Sequence, residues 1–301
     1  MRLVCATHGA LPYGDAPSDA EVAATLRGQV EAGMDVVTDG QPGWADPVTP
    51  LLAPLNGIRL GPPLTLPLGI ALAARPIVEA KLRRLHSPLL DAYRRAAPHA
   101  TRPLKAVITG PYTLACAAEI ATTAYRHAAD LALDLSTLLA QDVTALAVAG
   151  APVIQIDEPL LLAHPDDAKL VRTLLEPLVD AAQGATVLVA TYGADAASCY
   201  AQLNSLPGDL IAVDCAGRRE VIDAIAETGS GKPLALGIVA ANDAVEDPDA
   251  LARLLDRLLA RYIHDVVWVQ PAAGLRALSP ATADAKLRVL ARAAAACTAG
   301  R

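Results

Sequence analysis

The sequence predicts an α/β chain that closes into a single (β/α)8 barrel. Eight short apolar runs recur along the 301 residues, and most are followed by a stretch whose apolar residues have helical spacing. The runs are largely continuous rather than alternating, which is typical of parallel strands buried on both faces. Eight such repeats make a closed barrel the economical architecture. The predicted strands are Leu3 to Ala6, Asp35 to Thr38, Leu104 to Thr109, Val153 to Ile156, Thr186 to Thr191, Leu210 to Val213, Leu234 to Val239 and Val266 to Val269.

The helices between these runs carry recognisable end signals. Ser18 with Glu21 three residues later forms the pattern of a capping box, and Gly33 stands where the first helix must end before the second strand. The other predicted helices are Pro76 to Ala97, Thr123 to Ala149, Asp166 to Gln183, Arg219 to Thr228, Pro248 to Tyr262 and Pro280 to Ala296.

The chain is interpreted as one domain, 1–301, with one irregular stretch. Residues 42–75 are rich in Pro, Gly and Leu without a clear period, and the predicted helix follows directly. A long stretch of this kind inside a barrel favours an insertion of about 42–97 that serves as a lid or a rim.

Composition narrows the classes of partner. The chain is 53% hydrophobic, which allows a large core. Its net charge of −7 and the lack of a basic run do not favour binding to nucleic acid or to an anionic membrane. Five cysteines at irregular spacing, and a first strand that starts at the N-terminus, predict a reduced, cytoplasmic protein without a secretion signal. Its apolar runs are shorter than the ~20 residues of a membrane span, so the expected partner is a small molecule.

Polar residues follow the predicted strands, at the end of a barrel where active sites lie. Carboxylates after strands two, four and six could together hold an ammonium group. Taken singly, an Asp or Asn there is often a helix cap, a His is often only hydrogen-bonded, and an aromatic ring often only packs. The predicted catalytic residues are His8, Asp157 and Asp214. The predicted substrate-binding residues are Asp39, Gln41, Trp44, Tyr112, Thr113, Glu158, Tyr192 and Asn242.

Three segments resemble the catalytic barrel of cobalamin-independent methionine synthase: Glu31 to Gly40, Ile108 to Ala115, and Ile154 to Pro159. The residues Gly237 to Val239 and Gln270 to Arg276 agree with later parts of the same family, so the resemblance covers nearly the whole chain. This resemblance implies a (β/α)8-barrel methyltransferase that uses methylated folate or a corrinoid as the methyl donor.

The same resemblance shows what this chain lacks. The family's zinc ligands fall on Thr191, Gly193, Asp214 and Ala273, of which Asp214 alone can bind a metal. Since a tetrahedral zinc site takes at least three protein ligands, zinc is not expected and no metal ligand is predicted. Cys215 should point away from Asp214 along the strand.

The residues that would hold an amino acid have changed as well. The resemblance assigns amine binding to Asp157 and to a Glu that is Gln41 here, and it places a proton-relaying His at Asn242. With one carboxylate fewer, an amino-acid zwitterion should bind less well.

The leading hypothesis is therefore a zinc-free methyltransferase that moves a methyl group from a methylated pterin of folate type, or from a corrinoid, to a non-thiol acceptor. His8 or Asp214 would act as the base and Asp157 as the substrate anchor. A corrinoid protein is a candidate partner. Three alternatives stay open: a catalytically silent ligand-binding homologue, a homocysteine methyltransferase whose metal ligands have moved, and a lyase-type reaction.

Overall fold

The structure is a computed structural model that describes residues 1–13 and 17–299. The strands are β1 (Arg2–Cys5), β2 (Val37–Thr38), β3 (Asn56–Leu60), β4 (Leu64–Thr65), β5 (Ala71–Leu72), β6 (Pro76–Arg83), β7 (Leu104–Thr109), β8 (Glu119–Ile120), β9 (Val153–Asp157), β10 (Thr186–Thr191), β11 (Leu210–Asp214), β12 (Leu234–Val239) and β13 (Val266–Pro271). The helices are α1 (Asp19–Glu31), α2 (Thr49–Leu52), α3 (Pro88–Ala96), α4 (Pro111–Ala117), α5 (Ala128–Val148), α6 (Ala168–Ala181), α7 (Tyr200–Asn204), α8 (Arg219–Thr228), α9 (Pro248–Leu258) and α10 (Pro280–Ala299).

Eight parallel strands form the barrel that the sequence predicts. Their order is β1-β13-β12-β11-β10-β9-β7-β2. A parallel bridge between Ala6 and Val36 joins β1 to β2 and so closes the barrel. The Thr7 N–H donates to the Val36 carbonyl at 3.1 Å beside this bridge. The predicted (β/α)8 fold class is confirmed.

Alternation along the strands separates two apolar layers. On β11, Leu210 and Ala212 face the barrel interior, while Ile211 and Val213 pack under the surrounding helices. Cys215 continues the outer row, as the sequence predicts, and Asp214 continues the inner row. Every residue of β7, β9, β11 and β12 is buried, which explains why these strands are mostly apolar on both faces instead of alternating.

The predicted ends of the first helix are also confirmed. The Ser18 hydroxyl accepts from the Glu21 N–H at 3.3 Å, and the Glu21 carboxylate accepts from the Ser18 N–H at 2.6 Å. Gly33 follows the helix with φ 95°, a left-handed conformation that glycine adopts without strain.

The predicted helix Pro76 to Ala97 is wrong in its first half. Residues 76–83 form β6, which pairs antiparallel with β3 and parallel with β8, and the helix α3 begins after Ser87. Strand pairing with segments some 20 and 40 residues away in sequence decides this, and no local pattern reports it. The irregular stretch 42–75 is built of α2, β3 and the hairpin β4–β5.

Helix α5 is the one described helix whose length and composition would allow a membrane span. It packs along α4 and α6, and Leu131, Leu135 and Leu139 are buried in the core beneath it. Its apolar character is therefore explained by the outer layer of the barrel.

Candidate functional site

A polar layer lies above the apolar floor of the barrel, toward the carboxyl ends of the strands. Its members are His8 after β1, Lys105 on β7, Gln155 and Asp157 on β9, and Gln270 on β13, each at most 6% exposed. Two-residue periodicity places Gln155 and Asp157 on the inner face, above Val153 of the floor.

Lys105 determines how the Gln155 amide is oriented. The Lys105 side chain donates to Gln155 Oε1 at 2.5 Å, and the acceptor-only carboxylate of Asp157 on the other side of the amide requires the same orientation. The Gln155 amide nitrogen then donates to Asp157 Oδ1 at 2.7 Å and lies 3.3 Å from His8 Nε2. His8 Nε2 is therefore the acceptor in this contact.

The second ring nitrogen of His8 carries the proton. Nδ1 lies 3.1 Å from the side-chain amide of Gln270, whose Oε1 is buried without a partner in the described structure. Turning that amide by 180° places Oε1 on the Nδ1–H and satisfies both groups. In this arrangement Nδ1 is the donor and Nε2 is the acceptor, and Nε2 lies 3.7 Å from Asp157 Oδ2.

Burial sets the charge balance of this layer. Removal from water lowers the pKa of Lys105 to about 7, although the nearby Asp157 opposes the shift. Tyr192 stands edge-on to His8 at 5.0 Å between ring centres, and its hydroxyl donates to Asp157 Oδ2 at 3.4 Å. Burial and Asp157 raise the pKa of Tyr192, so it remains a neutral donor.

His8 and Asp157 open into a cavity of about 360 Å³, here called the His8 cavity. Gln41 and Arg276 line one wall, Tyr192 lines another, and the β4–β5 hairpin contributes Ile70. This cavity therefore combines a proton acceptor, a neutral amide, a cation and two carboxylates, those of Asp157 and Asp46.

A second cavity of about 530 Å³, here called the Asp214 cavity, adjoins the first through Ile70, Tyr192 and Ala273. Asp214 Oδ2 accepts from Arg218 Nε at 2.9 Å and lies 3.3 Å from the Gly193 N–H. The exposed Asn242 lies on its rim. Asp214 is thus held in an ion pair with Arg218 at the wall of this cavity.

Three of the predicted substrate-binding residues face neither cavity. Glu158 is fully buried and accepts from the backbone N–H groups of Tyr112 at 3.0 Å and Thr113 at 2.8 Å, at the start of α4. The Tyr112 hydroxyl donates to Asp167 at 2.6 Å. Burial raises the pKa of Glu158 to about 7, against the pull of those N–H donors. Glu158 therefore stabilises the start of α4, which is a structural role and not a substrate contact.

Asp39 and Trp44 also lie away from the two cavities and border a pocket of about 20 Å³ beside Lys105. Asp39 Oδ1 accepts from the Gln41 N–H at 3.1 Å, and burial raises the pKa of Asp39. Asp39, Asp157 and Asp214 thus occupy three separate places. The expectation that carboxylates from strands two, four and six converge on one ammonium group is not met.

Sequence reasoning missed Lys105, Gln155 and Gln270 as members of the site. The available signal was a lysine inside the apolar run of β7, and a glutamine two residues before Asp157 on the same strand face. Lys105 lies near the start of β7, away from the carboxyl end of the strand where functional residues of a barrel are expected.

The residues that align with the family's zinc ligands do not fit a metal. Thr191 directs its hydroxyl to the Ala212 carbonyl at 3.4 Å, Gly193 and Ala273 have no donor side chain, and Asp214 is paired with Arg218. Across residues 1–13 and 17–299, no three His, Cys, Asp or Glu side chains lie close enough together to hold a metal ion.

Comparison with known proteins identifies the family. Residues 10–296 match the profile described as the catalytic domain of cobalamin-independent synthase. The chain belongs to this family. The predicted resemblance and the prediction of a methyltransferase-family enzyme are confirmed at that level.

Relatives in the cobalamin-independent synthase family cover most of the chain. A methionine synthase of Saccharolobus solfataricus is 29% identical over 88% of this chain and 80% of that protein. One from Thermococcus kodakarensis is 28% identical over 93% and 83%. Among solved structures, a B12-independent methionine synthase from Shewanella sp. W3-18-1 in complex with selenomethionine has a TM-score of 0.85, at 20% identity and 98% coverage of both chains. At that identity the structural match shows the shared fold.

Proposed function

We propose that this protein is a cytoplasmic, zinc-free methyltransferase that transfers a methyl group from a methylated pterin or a corrinoid to a non-thiol acceptor. The observation that carries the proposal is the pairing of Asp214 with Arg218, where the family resemblance would place a metal ligand. A guanidinium at this position supplies positive charge without a metal and leaves no donor set to activate a thiol.

His8 is the proposed base. Its Nε2 is unprotonated in the hydrogen-bond network, and Asp157 at 3.7 Å would stabilise the imidazolium formed when it takes a proton. The acceptor's nucleophilic atom forms the bond to the methyl carbon and gives its proton to His8. The donor keeps the electron pair of the broken bond, and a pterin donor also takes up one proton, which protonated His8 or solvent can return, at the nitrogen that carried the methyl group. An amine, an enamine or an activated aromatic carbon can react in this way.

The two cavities provide room for two substrates. We assign the acceptor to the His8 cavity, which holds the base, and the methyl donor to the larger Asp214 cavity. Tyr192 and Ala273 border both, so a methyl group has a short path from one cavity to the other. A corrinoid bound to a partner protein would have to present its cobalt at the same opening.

Two features of the described chain weigh against a relocated zinc site. The Cys215 thiol belongs to the outer core, and burial raises its pKa, which disfavours the thiolate that zinc requires. His8 lies in the His8 cavity, whereas Asp214 lies in the adjoining one.

The decisive experiment joins metal content to methyl transfer. Protein purified after growth with added zinc should contain well under stoichiometric metal by elemental mass spectrometry. The same protein should move an isotope-labelled methyl group from methyltetrahydrofolate or methylcobalamin to a member of a panel of amine and aromatic acceptors, but not to homocysteine. Stoichiometric zinc together with methylation of homocysteine would overturn the proposal.

Substitution of Asp157 separates an enzyme from a silent binding protein. Asp157→Asn should lower turnover by roughly 10²- to 10⁴-fold, since it removes the charge that stabilises protonated His8, and should leave a folded barrel. Asp91→Asn, an exposed change on α3, is the matched control and should keep full activity. Undiminished transfer by Asp157→Asn would remove Asp157 from the mechanism.

A further inference from the structure

Arg276 is a cation in the wall of the His8 cavity without a counterion in contact. Its side chain is half-buried, and its Nη2 lies 3.4 Å from both the backbone oxygen and Oε1 of Gln41. No Asp or Glu oxygen in the described part of the chain lies within 4.0 Å of it. Burial lowers the pKa of Arg276, which reflects the cost of a charge that is partly removed from water.

The two nearest sources of negative charge have other partners. Asp46 lines the His8 cavity too, but it is 2% exposed and both of its oxygens accept from backbone N–H groups, those of Val48 at 2.8 Å, Thr49 at 2.6 Å and Ala73 at 2.9 Å. Asp39 accepts from the Gln41 N–H. Both act on Arg276 through space only, so its guanidinium keeps donors for a ligand.

Gln41 extends this donor surface. Its Oε1 is the acceptor for Arg276, so the side-chain amide nitrogen is left for the cavity, and no partner for it occurs among the described residues. A guanidinium fork beside an amide N–H₂ presents donors alone, which is the complement of a carboxylate.

The other polar end of the cavity is poorly suited to an ammonium group. Asp157 already accepts hydrogen bonds from Gln155 and Tyr192 and faces His8. Lys105 does not touch Asp157 but donates to the same Gln155 amide. The two oxygens of Asp157 are thus already engaged by hydrogen-bond donors of the protein. An acceptor that carries an ammonium would meet Arg276 without a free carboxylate to offset the repulsion.

We propose that the His8 cavity binds an organic carboxylate, held by Arg276 and Gln41, with the rest of the molecule extending toward His8. The inference rests on the proposed function for the identity of this molecule as the methyl acceptor. That Arg276 and Gln41 bind a carboxylate does not depend on the proposed function.

Three probes of similar size test the charge preference by calorimetry on the whole protein, without turnover: 4-(methylthio)butanoate, L-methionine and L-methioninol. Fragments of this size typically bind in the millimolar range, so titration to about 50 mM is needed. We expect 4-(methylthio)butanoate to bind about tenfold or more tightly than methioninol, with L-methionine between them. Equal binding of all three, preference for methioninol, or no binding of 4-(methylthio)butanoate at the highest concentration overturns the proposal.

Variants assign the preference to Arg276. Arg276→Gln should weaken carboxylate binding about ten- to a hundredfold, as expected for loss of a charged hydrogen bond, and Arg276→Lys should restore part of it. Arg59→Gln removes an equal charge from an exposed pair with Glu79 and should change nothing. Gln41→Glu supplies a carboxylate to Arg276 and should reverse the preference toward methioninol. If Arg276→Gln folds and binds 4-(methylthio)butanoate like the unmodified protein, the subsite is wrong.

The outcomes also separate this inference from the proposed function. Carboxylate binding without any methyl transfer would refute the enzyme and keep the subsite. Metal-free methyl transfer together with no binding of 4-(methylthio)butanoate would keep the enzyme and refute the subsite.

Discussion

Lys105 shows how one buried side chain can organise several others. It is 1% exposed inside the barrel, and its ammonium group donates to Gln155, an amide that in turn touches both Asp157 and His8. A residue without a donor at position 105 would remove one of the two contacts that orient this amide toward His8. Lys105 is therefore a positioning residue for the proposed base.

The pKa of Lys105 predicts a specific dependence of stability on pH. In the unfolded chain the lysine keeps its proton up to its ordinary value of 10.5, whereas in the folded chain it loses the proton near 7. Between these values the unfolded state binds more protons, so this group makes the free energy of unfolding rise with pH, on the order of a few kcal/mol over the window.

Lys105→Met should abolish that contribution at nearly constant volume. Urea unfolding of both proteins from pH 6 to 10 measures it, and the stability of the unmodified protein should rise relative to the variant as pH increases from about 7. Parallel curves would mean that Lys105 is not perturbed by burial. The same variant should also change the ¹⁵N shifts of the His8 ring, which a purely structural lysine would leave alone.

At the scale of single elements, α4 is tied to β9 through one side chain. Both oxygens of Glu158 are engaged by the first N–H groups of α4, and Gly110 directly before the helix lets the carboxylate approach. A Cβ on Gly110 would lie 2.2 Å from Glu158 Oε1, a distance that no rotamer adjustment of a buried, doubly hydrogen-bonded group relieves cheaply.

Gly110→Ala should therefore destabilise the protein by roughly 1–3 kcal/mol although the φ of −75° suits alanine. Gly28→Ala, at a helical site with open space around it, is the control and should be neutral or stabilising by up to about 1 kcal/mol. Chemical denaturation of the two variants gives the comparison, and equal stability of both would show that Glu158 moves freely.

The hairpin β4–β5 connects the irregular insertion to the site. Leu68, Gly69 and Ile70 line the Asp214 cavity, and Ile70 also lines the His8 cavity. The residues 42–97 therefore form part of the cavity walls, which is the role expected of a rim. Whether the segment opens and closes as a lid stays a prediction.

At the scale of the whole molecule, the barrel brings distant residues to one mouth. His8 follows the first barrel strand and Gln270 lies on the last, 262 residues apart, yet their side chains meet because β1 pairs with β13. The same closure places Arg276 beside Gln41.

Zinc should be unable to stabilise this assembly. A ligand that binds the folded state raises the free energy of unfolding by about 2.7 kcal/mol at a concentration one hundred times its dissociation constant. Thermal unfolding with zinc chloride or with a chelator should therefore show the same midpoint in the micromolar range of metal. A clear rise with zinc that Asp214→Ala removes would restore a metal site.

The sequence by itself determined the barrel, most strand limits and the family, because continuous apolar strands and helix caps are local patterns with a direct structural cause. Its strand-end rule also located His8, Asp157 and Tyr192, which meet in one cavity.

Tertiary structure alone decided the rest. Residues 76–83 became a strand because their partners lie far away in sequence, and Glu158 turned inward to a helix start. The role of Lys105 depends on which side chains come within 4 Å of it after folding. The same is true of Arg276, which has no carboxylate within that distance among the described residues. Such distances are set by barrel closure and strand register, which no local pattern encodes.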